Sequence, residues 1–210
     1  NLVKPNKKIS NVFFERIQKE WELADLIIVN SKFSKDCLSS YVKNFNKIEI
    51  LPLIFERKNM FNLKAKESNE KLNIAFIGNI SLIKGFKKFM DAAAELNSKM
   101  NFIAVGNFLL AENVKEETGN FIKYTGHVSS NEIEKIYKVI DVLVFPTYSD
   151  GFGMVQLEAM SYGVPVLATK NCGEVVKDNY NGNIIETCDD IVQCLTVLDE
   201  NRNLLKEFSL

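Results

Sequence analysis

Leu72-Asn73-Ile74-Ala75-Phe76-Ile77-Gly78-Asn79-Ile80-Ser81-Leu82-Ile83-Lys84-Gly85 reads as strand, glycine turn, loop and helix start in one stretch. The run Leu72–Gly78 is apolar except at Asn73 and ends in glycine, the pattern of a strand buried on both faces. A helix is predicted from about Lys84 to Lys99, because Phe86, Phe89, Met90, Ala93 and Leu96 recur along one side at helical spacing.

Toward the C-terminus the alternation repeats. Strands are predicted at Asn101–Gly106, Phe121–Gly126, Asp141–Pro146, Val164–Ala168 and Asn183–Glu186. Between them, Ser129-x-x-Glu132 is a capping box that opens a helix with Ile133, Ile136, Tyr137 and Ile140 on its face. A helix is expected from about Gly153 to Tyr162, ended by Gly163, and a short one near Glu174–Lys177. A last helix starts near Asp189/Asp190 and buries Ile191, Leu195, Leu198 and Leu205. Strands separated by helical segments imply βαβ units and a parallel sheet. The expected fold class is therefore α/β, a Rossmann-like, doubly wound parallel sheet of six strands within about residues 70–187. Ligands in such sheets sit beyond the carboxyl ends of the strands, which selects the loops Gly78–Gly85, Gly106–Asn107, Pro146–Gly153 and Ala168–Gly173.

Toward the N-terminus the pattern thins. Asn11–Glu22 is amphipathic with Phe14, Ile17 and Trp21 on one side, Leu26–Val29 and Ile48–Pro52 read as strands, and Ser34–Val42 as a helix. Two strands are too few for an independent core. Residues 1–55 are accordingly expected to be the tail of a preceding Rossmann-like domain, 56–71 a polar linker, and 72–210 the C-terminal ligand-binding domain. The first residues show no apolar signal-peptide core and no initiator Met, so a cut piece of a longer chain is expected.

Composition narrows the function classes. Of 210 residues, 26 are Lys or Arg and 27 are Asp or Glu, a net charge of -1, which argues against nucleic-acid binding by bulk electrostatics. No apolar run approaches the roughly 18 residues of a membrane span. The four cysteines, Cys37, Cys172, Cys188 and Cys194, lack C-x-x-C spacing and there is one histidine, His127, so no metal site is expected. Thiols of this kind fit a reducing cytosol, and a cytoplasmic location is expected. With no G-x-S-x-G turn and a single histidine, triad hydrolysis is disfavoured.

Two segments carry candidate chemistry. In Gly78–Gly85, Lys84 at a helix start beside backbone N–H groups can hold a phosphate, or it is a solvated first-turn lysine. The Walker order G-x-x-x-x-G-K-[ST] is absent. In Asp150-Gly151-Phe152-Gly153-Met154-Val155-Gln156-Leu157-Glu158, two acids bracket seven residues across a glycine-rich strand-to-helix turn. Glu158 lies on the second helical turn among apolar neighbours, so it needs a ligand such as vicinal sugar hydroxyls, or an internal partner on the backbone.

These motifs, with Ala24–Phe33, Phe76–Gly78, Lys84-Gly85, Tyr124–Val128, Asp141–Pro146 and Ala168–Val176, resemble the C-terminal half of the GT-B, nucleotide-sugar-dependent retaining glycosyltransferases of "group 1" (family four). The chain departs from that family in opening the acidic motif with Asp150 where Glu is usual, and in placing Asn79 where an Arg often follows the loop glycine. The resemblance implies retaining transfer of a sugar from a nucleotide diphosphate to an acceptor hydroxyl. It implies Lys84 on the diphosphate and Asp150 on the transferred sugar as the catalytic pair, and Glu158 on the ribose hydroxyls. Gly78, Asn79, Gly151, Phe152, Gly153, Met154 and Val155 complete the implied donor-binding set. It further implies no cofactor and no metal, and no D-x-D occurs. The implied partners are a nucleotide-sugar donor and, through a domain outside this chain, a carbohydrate or lipid-linked acceptor, with peripheral membrane association of the longer protein. The isolated chain is expected to be inactive without that domain. The alternative is a nucleotide-binding or scaffolding module that pairs with a separate subunit. A dinucleotide oxidoreductase is disfavoured, since no G-x-G-x-x-G follows the first strand of the domain.

Overall fold

The computed structural model describes residues 11–56 and 70–209. Most of the expected linker 56–71 lies outside them. The main sheet comprises β3 (Asn73–Ile77), β4 (Asn101–Val105), β5 (Ile122–Gly126), β6 (Val142–Phe145), β7 (Val166–Ala168) and β8 (Gly182–Ile184). Its order is β5-β4-β3-β6-β7-β8 and every pairing is parallel. The chain runs outward from β3 on one side, then returns to start again at β6. That reversal makes the crevice between the carboxyl ends of β3 and β6 the place where a ligand fits.

Alternating side chains of the strands feed two cores. Ile74, Phe76, Phe102, Val142 and Val144 face α3 (Phe86–Leu96), α7 (Cys188–Glu200) and α8 (Arg202–Phe208). Ala75, Ile77, Leu143, Phe145 and Val166 face α5 (Ser130–Tyr137) and α6 (Met154–Ser161). Burial on both faces is why these strands read as continuous apolar runs. A chain of aromatic contacts locks the start of α3: Phe76–Phe86 at 5.1 Å, Phe86–Phe89 at 5.7 Å and Phe89–Phe102 at 5.6 Å between ring centroids. Each such buried ring contributes about 1.5–3 kcal/mol by burial alone, and together they fix the loop that precedes the helix.

The structure corrects several expected boundaries. Helix α3 begins at Phe86, with Gly85 as its N-cap, so Lys84 lies in the preceding turn and not in the helix. A helix α4 (Glu112–Thr118) was not expected; it is mostly charged and buries only Val114 and Thr118, too sparse a pattern to read. No helix forms at Glu174–Lys177. There the Asn181 side chain accepts from the Lys177 amide at 2.7 Å and donates to the Val175 carbonyl at 3.2 Å, and these local bonds outcompete the helical ladder. The expected last helix divides at Asn201, whose φ of -120° and ψ of 81° break α7, while its side chain caps α8 through the Leu204 amide.

The N-terminal segment is a separate small layer. α1 (Asn11–Leu23), β1 (Ile27–Val29), α2 (Lys32–Ser39) and β2 (Ile48–Ile50) form a two-stranded parallel sheet with its helices. Its core is the cluster Val29, Val42 and Ile48, against which Trp21, Ile27 and Leu38 pack. Leu23, Leu26, Ile28, Leu51 and Ile54 remain exposed.

Candidate active site

The two loops at the crevice are tied to each other. The Tyr148 amide donates to the Ile83 carbonyl at 2.9 Å, and the fully buried Thr147 hydroxyl reaches the same oxygen at 3.3 Å. Gly85, at φ 74°, backs directly onto Pro146: a Cβ there would lie 1.8 Å from the Pro146 carbonyl oxygen. Only glycine satisfies both the left-handed backbone and that approach. These ties bring Lys84 to the Pro146–Gly153 loop. Its ammonium donates to Asp150 Oδ2 at 2.6 Å and lies 3.4 Å from the Ser149 carbonyl oxygen. The two side chains are only 27% and 22% exposed, so solvent screens the pair incompletely. Lys84 is therefore not a solvated first-turn lysine.

Asp150 is itself positioned. Its Oδ1 accepts from the Phe152 amide at 3.2 Å, an Asx turn, and its own amide donates to the Asn171 carbonyl at 3.0 Å. Gly151 is exposed, whereas Phe152 and Gly153 are buried. Gly153 caps α6 at φ 78°, with Phe145 so close that a Cβ would lie 2.5 Å from its ring. Met154 and Val155 open α6, where the first amides have no carbonyl partner within the helix and the helix dipole favours an anion. At the end of β3, Gly78 and Asn79 are exposed, and Asn79 Oδ1 accepts from Asn107 Nδ2 at 3.4 Å.

Glu158 is one α6 turn further on and half-buried. Its partner is the Tyr137 hydroxyl, which donates to Oε2 at 2.8 Å, and not the backbone. Burial and the adjacent Glu158 carboxylate push the Tyr137 hydroxyl well above its ordinary pKa, so it stays a donor. Tyr137 also stacks on Tyr162 at 5.2 Å. Cys172 lies buried beneath the site, its thiol pushed up to about 12 by burial and by Asp150, and so is no nucleophile. His127 is exposed. Among the described residues no group of three or more His, Cys, Asp or Glu is arranged to hold a metal ion.

Residue-by-residue reading missed one contribution. Ser31, 3% exposed, donates its hydroxyl to the Gly151 carbonyl oxygen at 2.5 Å, and Ser34 Oγ lies 3.2 Å from that oxygen. Ser31 also caps α2 through the Ser34 amide at 3.0 Å. The cap is legible in Ser31-Lys32-Phe33-Ser34; the contact across 120 residues is not. The N-terminal layer thus reaches the carboxylate loop.

Residues 57–209 match the family model described as glycosyl transferases group 1. The chain belongs to the group 1 glycosyltransferases. A protein of the Klebsiella pneumoniae cps region, itself uncharacterized, is 27% identical over 204 residues, covering 93% of this chain and 56% of the relative. D-inositol 3-phosphate glycosyltransferase of Pseudarthrobacter chlorophenolicus is 26% identical over 166 residues, covering 70% of this chain and 40% of the relative. The chain thus spans about half the length of these curated relatives. Among solved structures, Anabaena HepE in complex with UDP-glucose superposes with a TM-score of 0.78 at 20% identity, over 96% of this group 1 chain and 61% of that one. Sucrose-phosphate synthase of Thermosynechococcus elongatus superposes with a TM-score of 0.80 at 19% identity, over 95% and 55%. These likenesses establish the fold: a GT-B-type, C-terminal glycosyltransferase domain with its six-stranded parallel sheet. No helix among the described residues is long and apolar enough to cross a membrane.

Proposed function

We propose that this group 1 glycosyltransferase chain supplies the donor half of a retaining enzyme that transfers a sugar from a nucleotide diphosphate to an acceptor hydroxyl. The observation that carries the reading is the Lys84–Asp150 pair, held between the carboxyl ends of β3 and β6 beside the N-terminus of α6. A breaking glycosidic bond leaves growing negative charge on the diphosphate. Lys84 and the first amides of α6 would stabilise that charge. Asp150 would accept hydroxyls of the transferred sugar and Glu158 those of the ribose, each carboxylate oxygen being a strong acceptor. Gly78, Asn79, Gly151, Phe152 and Gly153 would shape the cleft. The acceptor, a carbohydrate or lipid-linked alcohol, and any peripheral membrane contact would belong to the rest of a two-domain enzyme. The UDP-glucose bound by HepE supports the donor class. Thermal-shift titration with UDP and GDP tests the reading. Stabilisation by either supports a donor site, and stabilisation by NAD alone overturns it. The second reading, a module docked on a separate subunit, draws on the exposed apolar residues Leu23, Ile28, Leu51 and Ile54.

A further inference from the structure

The Lys84 charge is already committed. Its ammonium is 2.6 Å from Asp150 Oδ2, while the other Asp150 oxygen is held by the Phe152 amide at 3.2 Å. The backbone that carries both partners is held. Ile83 and Gly85 are clamped onto Tyr148 and Pro146, and the Asp150 amide is bound to Asn171. The nearby Lys88 ammonium lies over the Tyr148 ring at 4.2 Å. An incoming diphosphate therefore meets a nearly neutral pair whose carboxylate repels it. A nucleotide sugar brings hydroxyl donors that can occupy that carboxylate and leave Lys84 to the phosphates. A bare nucleoside diphosphate carries no sugar on its terminal phosphate, its ribose hydroxyls being assigned to Glu158, and that phosphate carries a further ionisable oxygen.

Resting on the donor-site reading above, we infer that Asp150 discriminates between nucleotide sugar and bare nucleoside diphosphate. It withholds Lys84 from the diphosphate until sugar hydroxyls take its carboxylate, and re-pairs with Lys84 once the sugar has left. Asp150 is on this view a specificity residue that favours loading of the donor and expulsion of the product. The argument concerns charge and donor count, so it is independent of the nucleobase.

The test is calorimetric titration of the full chain and its Asp150→Asn, Lys84→Ala and double variants with UDP, GDP, UDP-glucose, GDP-mannose and inorganic pyrophosphate. Asp150→Asn keeps the shape and the Oδ1 acceptor but removes the competing charge. The expected result is nucleoside diphosphate affinity at least about fivefold higher in Asp150→Asn, with donor affinity unchanged or lower, so that the preference for donor shrinks. The gain should vanish in the Lys84→Ala background, because the two residues act as one coupled pair. Diphosphate affinity that is unchanged or lower in Asp150→Asn, or a gain that survives Lys84→Ala, overturns the inference. Failure of all four nucleotides to bind the unaltered chain overturns the donor reading instead, and pyrophosphate then decides the pair. A gain by Asp150→Asn that depends on Lys84 upholds the competition, and no gain rejects it.

Discussion

Lys84 shows how much one residue's role depends on its neighbours. As a cation between two loops and next to a helix N-terminus, it should dominate binding of the donor's diphosphate. Truncating one partner of a sheltered charge pair commonly costs about 2–5 kcal/mol. Lys84→Ala is expected to weaken binding of a nucleotide-diphosphate sugar at least about tenfold, read by calorimetry, or about 1.4 kcal/mol. Equal affinity would remove Lys84 from the site. Glu158 is bonded to Tyr137, and Glu158→Gln retains an acceptor for that hydroxyl while losing the charge. Binding of the whole nucleotide should weaken, whereas a sugar phosphate without the nucleoside should be indifferent. Tyr137→Phe removes a donor to a carboxylate and should lower stability by about 1.5–3 kcal/mol in urea denaturation. An unaltered midpoint there would mean that Glu158 finds water or another donor.

At the scale of elements, the turn into α3 and the cap of α7 make opposite demands. Gly85 must hold a left-handed backbone against Pro146. Gly85→Ala should destabilise by more than the about 1–2 kcal/mol of the backbone strain alone, because the Cβ also collides with a carbonyl. A fall in denaturation midpoint of that size, with the sheet's circular dichroism retained, is the expected result; a neutral substitution would refute the close approach. At α7, Thr187 and Asp190 form a capping box: Asp190 Oδ2 accepts from the Glu186 and Thr187 amides at 2.8 Å each. Those backbone bonds hold the Asp190 carboxyl below its ordinary pKa. A depressed folded pKa means that the contribution is present above the unfolded pKa and is lost as pH falls through the folded one. Asp190→Asn should accordingly flatten part of the acid limb of the stability–pH curve below about pH 4. An unchanged acid limb would contradict the assignment.

On the scale of the whole molecule, the N-terminal layer and the large sheet meet at Gly151. Ser31 both caps α2 and donates to the Gly151 carbonyl, so one hydroxyl joins the two units. Ser31→Ala removes a cap, at about 0.5–2 kcal/mol, and leaves the Gly151 carbonyl to the longer Ser34 hydroxyl contact at 3.2 Å. The distinctive expectation is local: amide hydrogen exchange should quicken at Asp150–Gly153, over 100 residues away in sequence, and not only in α2. Exchange changes confined to α2 would reduce Ser31 to a capping residue. Core positions behave differently. Phe89, fully buried among Phe76, Phe86 and Phe102, should cost about 3–5 kcal/mol on truncation to Ala, without a specific effect on ligand binding beyond unfolding.

Periodicity alone sufficed for the six strands and for most of the helices, because a parallel sheet buried on both faces requires apolar runs that little else in a polar chain resembles. The glycine-bounded loops at the strand ends were legible for the same reason, and with them Lys84, Asp150, Gly151, Gly153 and Glu158 as candidates. Where a helix buries only two residues, as at α4, or where side chains bind their own backbone, as at Asn181, local pattern loses its force. The pairings themselves lay beyond any linear reading. Lys84 and Asp150 are 66 residues apart, Tyr137 and Glu158 21, and Ser31 and Gly151 120. Which of them touch depends on strand order and on backbone clamps such as Gly85 against Pro146, and that is a property of packing in three dimensions rather than of spacing along the chain.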